Sequence, residues 1–287
     1  MVTLDFGGYK MHRSRNNWLI YGGTLVAGLS SLGLHRYMME NCFDHKGLLI
    51  AGSLPVWFML AIGAAFVVGM ALLLWKLGGN GTYEDNFPRD PISGTLLIAA
   101  GAVMLWYAAH PEAVPAPQTY PMAGSAGVMA QLTERFKDIL PWLAAVSMAV
   151  LGLFRILGRK APAWFGGAVC LNYMLTLVTD YRLWSANPQL HSYAYQLLAE
   201  VLLMLCAFHR TSCDGGILQR RKLLFTGTAA AVCAMASLSM DFHRPFFLAS
   251  ALWALGCIGT TAVLPPDPEK EPQAENETPD QTEEPEA

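Results

Sequence analysis

Four residues in the middle of two apolar stretches are the first in this chain whose types could do chemistry. Asn172 and Thr176 lie in the segment PAWFGGAVCLNYMLTLVT, and Gln196 and Glu200 lie in YAYQLLAEVLLMLCAF. Asn172, Thr176 and Thr179 fall three to four residues apart, which puts them on one face of a helix. Tyr193, Gln196 and Glu200 repeat that spacing. Read as adjacent antiparallel helices at 1.5 Å per residue, the two stripes reach similar depths. Asn172 lies about 15 Å, and Glu200 about 12 Å, from the shared end. An ionisable residue deep in an apolar helix faces protein or water rather than lipid.

Two readings fit this pair of stripes. In one, they line a polar cavity in which Glu200 binds a proton or a cation. In the other, an Asn172–Glu200 hydrogen bond, with Glu200 protonated, holds two helices together.

A second group gathers where other apolar segments end. His35 and Arg36 close the first segment, Asp180 and Arg182 the fifth, and Asp241, His243 and Arg244 the seventh. Such a ring would form a cationic vestibule on one side of a bundle, suited to an anionic solute or an acidic partner. Interfacial snorkelling of arginine and the attraction of cations to helix C-termini account for the same residues.

No other chemistry is legible. His35, Glu40, Cys42, Asp44 and His45 include metal-donor types but match no zinc, EF-hand or HExxH spacing, so no metal is expected. The six cysteines, Cys42, Cys170, Cys206, Cys213, Cys233 and Cys257, contain no CxxC pair and read as buried free thiols. No phosphate-binding loop, dinucleotide glycine motif or GxSxG elbow occurs. No cofactor is expected, and no catalytic motif marks an enzyme.

The elements that must position these residues follow from composition. Of 287 residues, 53% are hydrophobic and 14% charged, where soluble domains carry about 25% charged residues. Apolar runs recur at membrane-spanning length. They predict an all-α integral membrane protein with about eight transmembrane helices, near 18–34, 56–74, 92–109, 139–154, 162–179, 193–208, 223–240 and 245–264. Residues 1–17 form a polar N-terminal segment. No A-x-A cleavage pattern follows the first apolar stretch, so it reads as a retained helix. Residues 127–138 space Val128, Leu132, Phe136 and Leu140 four apart, which fits either an interfacial helix or the start of the fourth span.

Charge divides unevenly. The last 23 residues hold nine acidic residues and one lysine, leaving a body of net charge +5. Residues 265–287 lack branched aliphatic and aromatic side chains and read as a disordered acidic tail. Basic residues fall thirteen on the side shared by both termini and six on the other, which places both termini in the cytoplasm of a cell-membrane protein. By that orientation Cys42 would face outward and Cys213 inward. No basic tract points to nucleic acid. The partners expected are the lipid bilayer and a membrane or soluble protein. Two functions fit: binding or transport of a small or ionic solute between helices, or a non-catalytic subunit that anchors or assembles a partner.

Overall fold

The computed structural model describes residues 3–6, 9–12, 15–42, 50, 54–76, 87, 89–110, 128–184, 190–240 and 243–259. The body is all-helical. Among the described residues its eight helices are α1 Arg15–Asn41, α2 Leu54–Lys76, α3 Pro91–Ala109, α4 Val128–Leu157, α5 Ala163–Trp184, α6 Leu190–Asp214, α7 Arg220–Ser237 and α8 Arg244–Gly259. A short antiparallel hairpin, β1 Thr3–Phe6 with β2 Tyr9–His12, precedes them, with Thr3 opposite His12. The acidic tail, Asp44, His45 and Asp241 lie outside the described residues.

Local chemistry sets the ends. Asp90 caps α3, its Oδ1 accepting the Ile92 N–H at 3.1 Å, and Pro91 fills the first helical position, where a missing N–H costs nothing. Gly158 (φ +67°) stops α4 and Gly216 (φ +99°) follows the end of α6, each in the left-handed conformation that lets the final carbonyls find partners. Such closures make the five-residue turns 158–162 and 215–219 possible.

The helices outrun the apolar segments that foretold them. α5 continues through Asp180 to Trp184, and α6 through Arg210 to Asp214, where the sequence suggests connections. The reason at α6 is local. Arg210 Nε donates to Asp214 Oδ2 at 3.0 Å one turn on, and the Thr211 and Ser212 hydroxyls bond back to Ala207 O and Phe208 O. α4 runs unbroken from Val128, so residues 128–138 are its first turns rather than a separate element. Pro141 therefore sits inside a helix and not near its start. It deletes one N–H there, at a partly exposed position.

From α3 to α8 consecutive helices pack antiparallel, and α3 also packs along α8, so these six form a closed ring. α1 lies against α7, and α2 against α1 and α7. One end of the bundle carries the starts of α1, α3, α5 and α7; there the Tyr21 hydroxyl meets Ser93 Oγ and Leu255 O, both at 3.2 Å. The other end joins Tyr107 to His243 and α1 to α7. These are called the first and second ends below.

The surface is apolar where the interior is polar. Val26, Trp57, Ile139 and Leu157 are each more than 60% exposed, while Ser147, Gln196, Glu200 and Ser250 are fully buried. Among the described residues two helical stretches, Pro91–Ala109 and Asp138–Leu157, are long and apolar enough to cross a membrane; Trp57–Leu72 and Arg244–Gly259 are apolar but shorter. These two pack against each other through small residues. A Cβ at Gly101 would come within 2.7 Å of Ala145 O and 2.9 Å of Ala149 N, and one at Gly152 within 2.6 Å of Gly94 O.

Candidate functional site: a carboxyl pair between α5 and α6

Because α5 extends past Thr179, Asp180 belongs to the helix and turns inward instead of lying in a polar connection. It is 3% exposed. Across from it on α6, Gln196 and Glu200 are one turn apart on the same face. Gln196 Nε2 donates to Asp180 Oδ2 at 3.1 Å and to Glu200 Oε1 at 3.4 Å, so one amide bridges two carboxyl groups. Both buried carboxyls thus converge on the one Gln196 side chain.

The electrostatics of that arrangement are restrictive. Two ionised carboxylates this close, with water excluded, would repel by several kcal/mol. One shared proton turns the repulsion into an O–H···O hydrogen bond. Glu200 Oε2 makes no hydrogen bond among the described residues. The Gln196 carbonyl, Oε1, is also buried without a partner.

Asn172 behaves differently from the sequence-based expectation. It is buried, but its Nδ2 has no partner among the described residues, and the Asn172–Glu200 hydrogen bond is not made. Gln196 supplies the helix-to-helix bridge instead. Thr176 and Thr179 turn their hydroxyls to their own helix, to Asn172 O at 3.0 Å and Leu175 O at 2.8 Å.

The residues expected to form a vestibule lie at the second end in distinct settings. His35 is buried; its Nδ1 is 2.6 Å from Ser239 Oγ and 3.2 Å from Ala236 O, and its ring meets Tyr195 edge-on at 4.7 Å. His243, at φ 57°, has Nδ1 2.9 Å from the Tyr107 hydroxyl. Arg36 pairs with Glu40 at 3.2 Å in solvent, and Arg244 Nε donates to Met240 O at 2.9 Å. Arg182 lies in the last turn of α5.

The sequence did not single out the polar groups nearer the first end. Tyr173, fully buried, packs its ring at 5.5 Å from Trp253 and 5.8 Å from Phe246, and its hydroxyl faces Ser250. The Tyr173 OH, Ser250 Oγ and Trp253 Nε1 all lack partners in good geometry among the described residues. Further along, the Cys206 and Cys257 thiols meet, with Arg210 beside Cys206. The Arg210 guanidinium stacks 4.8 Å over the Phe87 ring, and Arg155 lies 5.8 Å from the same ring. The i, i+4 spacing of Arg210 and Asp214 was the readable signal for a helical pair. Among the described residues no cluster of three or more His, Cys, Asp or Glu could hold a metal ion.

Comparison with protein-family models, with curated proteins and with solved structures gives no match.

Proposed function

We propose that the chain is a polytopic cell-membrane protein, with both termini cytoplasmic, that binds a proton or small cation between α5 and α6 in the course of moving a small or ionic solute. The observation that carries this reading is the buried Asp180–Gln196–Glu200 bridge. A purely structural tie between two helices is made more cheaply by neutral groups, since two buried carboxyls must hold a proton or a cation to coexist. Intramembrane carboxyls that face a bundle interior characteristically mark ion and proton pathways.

Support for the membrane setting comes from the outward apolar residues around an interior of Ser, Gln and Glu, an arrangement stable where the surroundings are lipid. The 14% charge and the thirteen-to-six distribution of basic residues agree with it. On this orientation the first end is cytoplasmic, and the lipid bilayer is the immediate partner of the outer face.

Ion flux into liposomes containing the purified protein tests the reading. Glu200→Gln and Asp180→Asn should each stop flux while helical content and solubility in detergent are retained. If both variants conduct like wild type and are merely less stable, the bridge is a structural tie.

A further inference from the structure

We infer that the cleft between α3 and α8 at the second end holds one anionic phospholipid, with an acyl chain against its apolar walls and the phosphate on Arg244. This goes beyond the function proposed above; it needs the bilayer setting but not the α5–α6 carboxyl pair. The cleft, about 470 Å³, is walled by Ala102, Val103 and Trp106 of α3 and by Pro245 and Leu248 of α8. That volume falls within the roughly 300–1,000 Å³ of sites that bury a ligand. Ala102, Trp106 and Leu248 are exposed, so the cleft opens on the outer face of the ring, and Arg244, also exposed, stands at its edge. Ala102 lies seven residues before the end of α3, so the cleft reaches about 10 Å into the bundle at 1.5 Å per residue.

The packing of the two helices explains why a gap is left there. Nearer the first end they touch: a Cβ at Gly256 of α8 would stand 2.7 Å from Leu97 Cγ and 3.2 Å from Ser93 O of α3. Toward the second end the Tyr107 ring meets the buried Phe246 ring at 5.7 Å, and two such rings hold the backbones apart. The outer side, where α3 offers the small Ala102 and Val103, is left unfilled. The Tyr107 hydroxyl also meets His243 Nδ1 at 2.9 Å, which braces His243 in its left-handed conformation directly before α8. The two walls of the cleft are thereby tied together.

Charge identifies the occupant. An acyl chain alone would not choose this cleft over bulk lipid, since moving between two apolar media gains only packing. The preference must come from a head group. The sequence reads Arg244 as closing the seventh apolar segment, but in the structure it is the first residue of α8. A cation at a helix N-terminus is opposed by the helix dipole, whereas an anion there is favoured by the dipole and the guanidinium together. Arg244 Nε donates to Met240 O at 2.9 Å, which anchors the guanidinium at the turn, and arginine's planar fork matches phosphate geometry. Trp106 lies three residues from the end of α3, at the headgroup depth that indole rings favour, and its ring stacks on His110 at 5.1 Å. On the proposed orientation the lipid belongs to the outer leaflet.

Native mass spectrometry of the full chain in mild detergent tests this, with equal amounts of phosphatidylglycerol and phosphatidylcholine of matched acyl chains supplied. Wild type is expected to retain one phosphatidylglycerol in about tenfold preference, the difference that one charge-assisted contact makes. Arg244→Gln should abolish the preference. Ala102→Phe, which fills the cleft from an exposed position, should release the bound lipid, while Val26→Phe at an exposed site on α1 should change neither result. Equal retention of the two lipids by wild type, or a preference untouched by Arg244→Gln, would overturn the headgroup contact. Retention untouched by Ala102→Phe would overturn the cleft as the seat. Glu200→Gln should keep the lipid like wild type, so its effect on ion flux bears on the carboxyl pair alone. A chain recovered in the aqueous rather than the membrane fraction of cells would remove the bilayer setting on which both depend.

Discussion

Replacing Gly101 by alanine tests the seam that holds the ring together. Among the described residues α3 and α4 contain the two stretches apolar enough to span a bilayer by length and composition, and in the proposed membrane setting apolar faces gain nothing from leaving lipid for each other. Their pairing must come from close van der Waals contact, which small residues permit. The added Cβ would stand 2.7 Å from Ala145 O, 2.9 Å from Ala149 N and 3.1 Å from Ala149 Cβ. Two of these are backbone atoms, so no side chain can swing aside. To reach ordinary contact near 3.4 Å the helices must part by about 0.5–0.7 Å, and a radial gap of that size forfeits roughly a quarter to a half of a contact's dispersion energy. Overpacking of one methyl in a tight site costs about 1–3 kcal/mol, and the seam places Gly101→Ala at the upper part of that range. Thermal unfolding in mild detergent reads the loss. Gly63→Ala and Gly69→Ala, where nothing lies within 4 Å, should melt no lower than wild type, since alanine is the better helix former. Equal melting temperatures for Gly101→Ala and Gly63→Ala would refute the packing of α3 on α4.

Other consequences can be measured alongside. Ser147→Ala removes a fully buried hydroxyl that has no partner among the described residues, so stability should hold or rise by up to about 1 kcal/mol; a clear loss would mean the hydroxyl is bonded. Burial and nearby Lys222 hold the His209 imidazole below its usual value of 6.5. The unfolded chain thus takes up a proton first, and stability should fall as pH drops below about 6.5 toward the folded value; His209→Gln should flatten that part of the melting-temperature profile. For orientation, Cys42 and Cys213 are too buried to label. His110→Cys, exposed at the second end, should react with a membrane-impermeant maleimide on intact cells and Arg159→Cys, exposed at the first, should not; the reverse pattern would invert the topology.

The eight helices were legible because each contains an uninterrupted apolar run, a property of composition that tertiary contacts do not alter. Their ends were not. Hydropathy treats Asp180, Arg210 and Asp214 as loop residues, whereas Gln196 engages the first and the other two neutralise each other, so all three remain helical. The depth match between α5 and α6 was also readable, and it identified Gln196 and Glu200. It paired Glu200 with the wrong helix residue because spacing fixes depth better than direction. Asn172 lies eight residues from Asp180, about 80° around the helix, while Tyr173 lies seven away and nearly in line. The hydroxyls and indole contributed by Tyr173, Ser250 and Trp253 come from helices distant in sequence, and α8 joins the group only because the ring closes on α3.

Infrared spectroscopy of the protein in lipid, recorded as a function of pH, addresses the carboxyl pair most directly. A protonated carboxyl has a carbonyl stretch well separated from that of a carboxylate. Wild type should show that band at neutral pH, where an ordinary glutamate is ionised, and Glu200→Gln should lose it. A wild-type spectrum without the band, or a band untouched by both Glu200→Gln and Asp180→Asn, would contradict a proton held between α5 and α6.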